Sequence, residues 1–341
     1  MMNGYERIKA ALSGEMTDRV PIMLHNFMLA AREAGFTMME FRSSPSVIAE
    51  SFIQSIETYG YDGILVDVDT VTLAGALGVP VVLPEDGPAT SISGSLEDLS
   101  LIEDMGNPDI SKDPRIQIWL EAVTMLSDQL GDEFFIRGNC DQAPFALASM
   151  VRGTQAWYMD LIRDPEGAHR LLNYCTIACK QFIDLMSETG AHMLSNGDSP
   201  AGPELISPDM YRTFALPYEQ EIIAIAHECD LPYALHICGD TGPILNYMLE
   251  SGADAYELDY RTDPGLARET FGDKASFIGN LDPVNVLALG APETVEHAVI
   301  ELLAIYGDSP RFILNAGCAI PPTTPAANIK AMIDTARNFE R

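Results

Sequence analysis

The sequence reads as an α/β protein, a single (β/α)8 barrel, on three grounds. Eight short β-type runs, each ending in polar residues, recur along the 341 residues. Segments with apolar residues at helical spacing lie between them, and strands alternating with helices argue for a parallel sheet. No internal repeat, low-complexity tract or linker divides the chain, so residues 1–341 read as one barrel domain.

The elements follow in order. VPIMLHN (20–26) is the first run, a helix-like segment covers 46–59, and GILVDVD (63–69) is the second run. The connection over 70–133 is longer than a crossover needs. A polar, Gly/Pro-rich piece over 84–113 precedes a helix over 116–130, and such an excursion forms either part of a pocket wall or lid, or a surface decoration. FFIRGNC (134–140) comes next, and residues 144–191 read as two helices interrupted at Asp164 and Pro165, because proline disfavours helix in the residue before it. HMLSNGD (192–198), a helix over 217–229, YALHICGD (233–240), a helix over 242–251 and AYELDY (255–260) continue the alternation. SFIGNLD (276–282), a helix over 293–306, FILNAGC (312–318) and a final helix over 325–339 complete it.

With 47% hydrophobic residues the chain has the apolar surface for a full core, which excludes disorder as a description of the whole. Fifty acidic residues against twenty basic ones give a net charge of -30, which repels phosphate backbones and anionic membranes, so no nucleic-acid partner is expected. That charge reads either as a solvated acidic surface or as a docking face for a less acidic partner. The start, MMNGYERIKAALSGEMTDR, scatters charge from Glu6 onward and lacks the apolar core of a secretory signal, so a cytoplasmic protein is expected. The most apolar long window, 63–83, carries Asp67 and Asp69, which argues against a membrane span. Six cysteines in such a chain read as core residues, metal ligands or redox groups rather than a disulfide framework.

In this architecture the C-terminal strand ends build the active site. Here they carry His25 and Asn26; Asp67 and Asp69; Asn139, Cys140 and Asp141; Asn196 and Asp198; His236 and Cys238; Glu257 and Asp259; Asn280 and Asp282; Asn315 and Cys318. Any one of them can be a turn former or helix cap. Their accumulation is the signal. Side chains two apart on a strand share a face, so His236 and Cys238 can both aim into the mouth, and Cys318 at the end of the eighth run can join them. Three protein ligands leave one coordination position open, as at catalytic rather than structural zinc. Spacing alone also allows a buried cysteine and a hydrogen-bonded histidine.

The segments HICGDTGPIL (236–245), FIGNLDPVNVLALGAPETV (277–295) and FILNAGCAIPPTTPAANIKAMI (312–333) resemble the uroporphyrinogen decarboxylase superfamily, in particular its corrinoid-dependent methyltransferase branch, which includes the methylcobalamin:coenzyme M methyltransferases. The resemblance runs from RVPIM to the final helix. It implies a (β/α)8 barrel that holds zinc (Zn2+) through His236, Cys238 and Cys318. It further implies a methyl group carried by a corrinoid on a separate protein, a small-molecule thiol such as coenzyme M as acceptor, and a monomer or homodimer. Decarboxylases that the chain resembles carry an arginine-rich segment after the first strand; here that region is HNFMLAAREAG, with Arg32 alone, so a four-carboxylate substrate would lack its cationic partners. Asp69 matches the position of their essential aspartate and reads either as retained architecture that helps orient substrate or as a turn or helix cap.

Glu257 is the expected fourth, exchangeable zinc ligand, by analogy with a similarly placed carboxylate in cobalamin-independent methionine synthases; its alternative is an ion pair with Arg261 or a position facing a helix. Asp198 and Asn280 are expected to bind the substrate's polar end or support the ligands, or else to form turns. Cys140 is expected to line the pocket. Cys175 and Cys179, four apart near His169, read as a core-facing stripe before they read as a metal pair. No GxGxxG or P-loop pattern is present, so no nucleotide cofactor is implied. Beside methyl transfer to a thiol stand transfer from a methylated substrate to a corrinoid protein, and a non-catalytic barrel that binds corrinoid proteins.

Overall fold

The computed structural model describes residues 2–340. Strands β1 (Met23–Leu24), β2 (Gly63–Val66), β3 (Phe135–Gln142), β4 (Met193–Gly197), β5 (Tyr233–Ile237), β6 (Ala255–Leu258), β7 (Ser276–Leu281) and β8 (Phe312–Ala316) form one sheet in sequence order. Every neighbouring pair is parallel. The sheet closes where Ile22 bridges Leu314 and the Leu314 amide donates to the Pro21 carbonyl at 2.8 Å. All eight expected strands are present, as a single barrel.

The helices start where the sequence writes a capping side chain followed by proline. Ser44, Asp113, Asp164 and Asp263 each accept an amide of the first turn, and Pro45, Pro114, Pro165 and Pro264 follow at the first helical position, where a missing N–H costs nothing. These caps begin Pro45–Tyr59, Pro114–Leu130, Pro165–Ser187 and Pro264–Phe271. The region expected as two helices over 144–191 contains three, because Gly153, at φ 83°, separates Pro144–Arg152 from Thr154–Arg163 before the break at Asp164. The long connection adds a hairpin, Val81–Val82 against Thr90–Ser91, in a stretch whose sequence carries no strand pattern of its own.

The barrel has a floor. Helix Gly4–Ser13 seats Ile8 and Ala11 on Met23, Phe135, Met193, Ala234, Ala255, Ile278 and Ile313, one inward-facing residue from each of seven strands. Each large member stabilises the closed end by about 1.5–3 kcal/mol. The apolar floor thus closes the N-terminal end, and the interior cavity opens at the C-terminal end.

Candidate metal and substrate site

Counting two residues on from the floor gives the next inward layer, since side chains alternate faces along a strand. Phe135 leads to Arg137, Ala255 to Glu257, Met23 to His25 and Ala234 to His236. An apolar floor is thus followed by a charged layer. Arg137 is 1% exposed and donates to Glu257 Oε2, while His25 donates to Glu257 Oε1 and Asp67 Oδ2 at 3.0 Å each. Asp67 Oδ1 takes the Asn139 amide at 2.9 Å. Burial opposes ionisation of Glu257, but the Arg137 guanidinium and His25 outweigh it and hold the carboxyl well below its usual range. Burial also opposes the His25 charge, yet Asp67 and Glu257 raise its pKa to about 9, so this ring is an imidazolium at neutral pH.

Above that layer His236, Cys238 and Cys318 converge, with ligand atoms all within 4.8 Å of one another. His236 Nδ1 donates to the Glu257 carbonyl at 2.9 Å, which turns Nε2 toward the cysteines, 3.1 Å from Cys238 Sγ. Cys318 Sγ is 3.7 Å from Cys238 Sγ. The thiol of Cys318 and then the His236 ring favour ionised Cys238, against burial, and lower its pKa; the same thiolate, with burial, raises Cys318. His236 is raised by Cys238 and Glu257 against its own burial.

Two glycines set the approach. Gly239, at φ +88°, lets the chain turn directly after Cys238, and a Cβ on Gly317 would stand 2.4 Å from the Tyr260 amide nitrogen. One nitrogen and two sulfurs at this spacing can hold a divalent metal of borderline softness.

A cavity of about 230 Å³ opens onto the cluster, walled by Phe27, Met28, Leu65 and Ala319, with Thr70 and Pro88 from the long connection. Glu257 borders it with both carboxylate oxygens already engaged. The partner considered from sequence, Arg261, instead pairs with Glu204 at 2.8 Å.

Four other expected residues stand apart from the cavity surface. Asp69 accepts the Val71 amide and the Thr72 hydroxyl, capping the turn into Thr72–Ala76, with Arg42 at 3.7 Å. Asn280 donates to the Asp259 and Thr262 carbonyls and so braces the loop after β6. Asp198 takes the Ala146 amide at 2.7 Å and lies buried near Glu219, whose pKa is pushed up by burial and then by the Asp198 charge. Cys140 is fully buried in the apolar layer outside the barrel, since Arg137 and Asn139 take the inward positions of β3. Cys175 and Cys179 are core residues, and His169 bonds the Tyr218 hydroxyl at 2.8 Å.

Arg137 is the residue that sequence reasoning misses. Its signal lies in FFIRGNC: a strand alternating from a floor phenylalanine sends that arginine inside the barrel, where only an internal carboxylate can balance it.

Residues 3–339 match the family described as uroporphyrinogen decarboxylase (URO-D). The chain belongs to the uroporphyrinogen decarboxylase family. A methylcobamide:CoM methyltransferase of Methanosarcina mazei is 30% identical over 338 residues, 98% of this chain and 97% of that protein. Another from Methanosarcina acetivorans is 34% identical over 226 residues, 66% of this chain and 65% of that protein. These relatives support the corrinoid-dependent branch of the family. A solved structure of a methyltransferase from Methanosarcina mazei superposes with a TM-score of 0.89, at 24% identity over 98% of both chains, and has the same fold. Among the described residues no helix is long and apolar enough to cross a membrane.

Proposed function

We propose that this family member is a zinc-dependent methyltransferase that moves a methyl group from a methylated corrinoid, carried by a separate protein, to a small-molecule thiol. The observation that carries the reading is the convergence of His236 Nε2, Cys238 Sγ and Cys318 Sγ at the open end of the barrel. Three donors of this kind fit zinc and leave a position for substrate. Zinc, when bound, lowers the pKa of the incoming thiol and fixes its sulfur.

The chain's own groups do the rest. The Glu257 carbonyl fixes the His236 ring through Nδ1, so Nε2 already points at the cluster and would ligate on losing its proton. Glu257 lies outside the three-donor cluster with Oε1 on His25 and Oε2 on Arg137, so to act as the exchangeable fourth ligand it would have to release one of them. The walls of Phe27, Met28 and Leu65 exclude water from the sulfur. The thiol proton leaves to solvent, a sulfur–methyl bond forms, and the cobalt–methyl bond breaks with its electron pair kept by the corrinoid. Alignment of sulfur and carbon then supplies much of the rate.

The names of the relatives make coenzyme M the first acceptor to try. Asp198, Asn280, Asp69 and Cys140 belong to this proposal as supporting residues that hold loops and backbone behind the site. The testing experiment mixes zinc-loaded protein, methylcobalamin and a thiol. Thioether production lost in Cys318→Ala supports the reading. Demethylation of a methylated donor with reduced corrinoid, and none with a thiol, replaces it by the reverse direction.

A further inference from the structure

Apart from Asp141, every ionisable side chain bordering the cavity beside the metal cluster is already matched by a partner inside the protein. His25 spends both ring nitrogens on Asp67 and Glu257. Arg137 is held by Glu257 and is 1% exposed. Asp67 has one oxygen on His25 and the other on the Asn139 side chain and the Val68 amide. At the cluster itself, Cys238 and Cys318 as thiolates would offset a bound divalent ion. Phe27, Met28, Leu65, Thr70, Pro88 and Ala319 carry no charge.

One acidic side chain at the wall is left over. Asp141 takes the Leu73 amide on Oδ2 at 2.7 Å, is 1% exposed, and has no hydrogen-bond partner on Oδ1. Asp141 borders the cavity, and burial, then neighbouring Asp69, push its pKa well up, which disfavours its charged form. Arg32 lies in a separate recess that shares Met28, where it donates to the Pro322 carbonyl at 2.8 Å. Among the described residues, then, the wall presents no free cation, and Asp141 is its one acidic group with an oxygen left unpartnered. A sulfonate, carboxylate or ammonium entering this space would be stripped of water without a counter-charge, which costs several kcal/mol.

We infer that the small molecule held beside the His236, Cys238 and Cys318 cluster is uncharged apart from its reacting sulfur, largely apolar, and hydrogen-bonded at its polar end by Asp141. This rests on the reading of the barrel mouth as the substrate site. It sets the chain apart from an enzyme built for an acceptor with an anionic tail.

The test uses zinc-loaded protein and three thiols with the same two-carbon arm: 2-mercaptoethanol, 2-aminoethanethiol and 2-mercaptoethanesulfonate. Titration calorimetry in high salt, which screens the acidic surface, gives their affinities. The uncharged thiol is expected to bind at least about tenfold more tightly than either charged one, a difference of about 1.4 kcal/mol. Equal or tighter binding of the sulfonate overturns the inference. The S-methyl ethers of the first and third compounds, followed by saturation-transfer NMR, repeat the comparison without a thiol. If no thiol binds but the uncharged ether still outranks the sulfonate, the thiol reading fails and this one stands. If neither ether binds, or the sulfonate ether leads, this one fails.

Discussion

Arg137 and Glu257 form a buried ion pair between two strands that are not neighbours in the sheet, β3 and β6, and so tie the barrel interior together directly below the His236, Cys238 and Cys318 cluster. Side-chain exposures of 2% and 0% leave neither charge a route to water. Removing one partner of such a pair is expected to cost about 3–5 kcal/mol, because the other charge stays buried and uncompensated. Arg137→Met should therefore lower unfolding stability by about that amount, and Arg137→Met with Glu257→Gln should recover most of it. Denaturant unfolding measures both. A loss below about 1 kcal/mol in the single variant would mean that the pair is not sealed from water.

Stripped of metal, the cluster should contain one unusually reactive thiolate. The Cys318 thiol and the His236 ring hold the pKa of Cys238 below that of an ordinary thiol, about 8.5. Burial raises Cys140, Cys175 and Cys179 instead. Iodoacetamide at about pH 6 should then label Cys238 first, and added zinc should protect it. Peptide mass mapping reads the site. Labelling that begins at Cys229 would contradict the described hydrogen bonding.

Asn280 acts through the backbone. Its side-chain amide joins the Asp259 and Thr262 carbonyls at 3.1 and 3.0 Å, so Asn280→Ala leaves two buried acceptors short of a donor. Stability should fall by about 1–3 kcal/mol while the affinity for substrate in the folded protein changes little. Tighter dependence of substrate affinity than of melting temperature would instead give Asn280 a direct contact.

Asp198 and Glu219 set an alkaline weakness. Burial is the main cause of both raised pKa values, and the Asp198 charge adds to that of Glu219. Above the ordinary carboxyl pKa of about 4 the native state keeps protons that the unfolded chain has lost. This contribution to stability is complete below that value and disappears as pH rises through the native pKa values. Glu219→Gln should flatten the fall in melting temperature between about pH 5 and pH 8. An unchanged slope would show that the pair does not control it.

The scaffold is legible in the sequence because two periodicities alternate cleanly, and because the Asp–Pro and Ser–Pro steps mark helix starts. His236, Cys238 and Cys318 are legible too, as residues two apart on one strand and at the end of another. Which face of β3 looks inward is not. Without Phe135 identified as a floor residue, Cys140 and Arg137 are equally eligible as pocket residues, and parity assigns only Arg137. Nor does the polar character of a strand end distinguish a ligand from a brace: Asp69 and Asn280 satisfy backbone groups that exist only once the loops are folded.

The methyl-transfer reading of the barrel mouth depends on His236, Cys238 and Cys318 holding a zinc ion that accepts a thiol as thiolate. The decisive experiment is the zinc content of protein purified without chelator, followed by proton release on thiol addition, beside the Cys318→Ala variant. Near-stoichiometric zinc, about one proton released for each thiol bound, and loss of both in the variant is the expected result. A well-folded protein without zinc, or thiol binding that releases no proton, would contradict it.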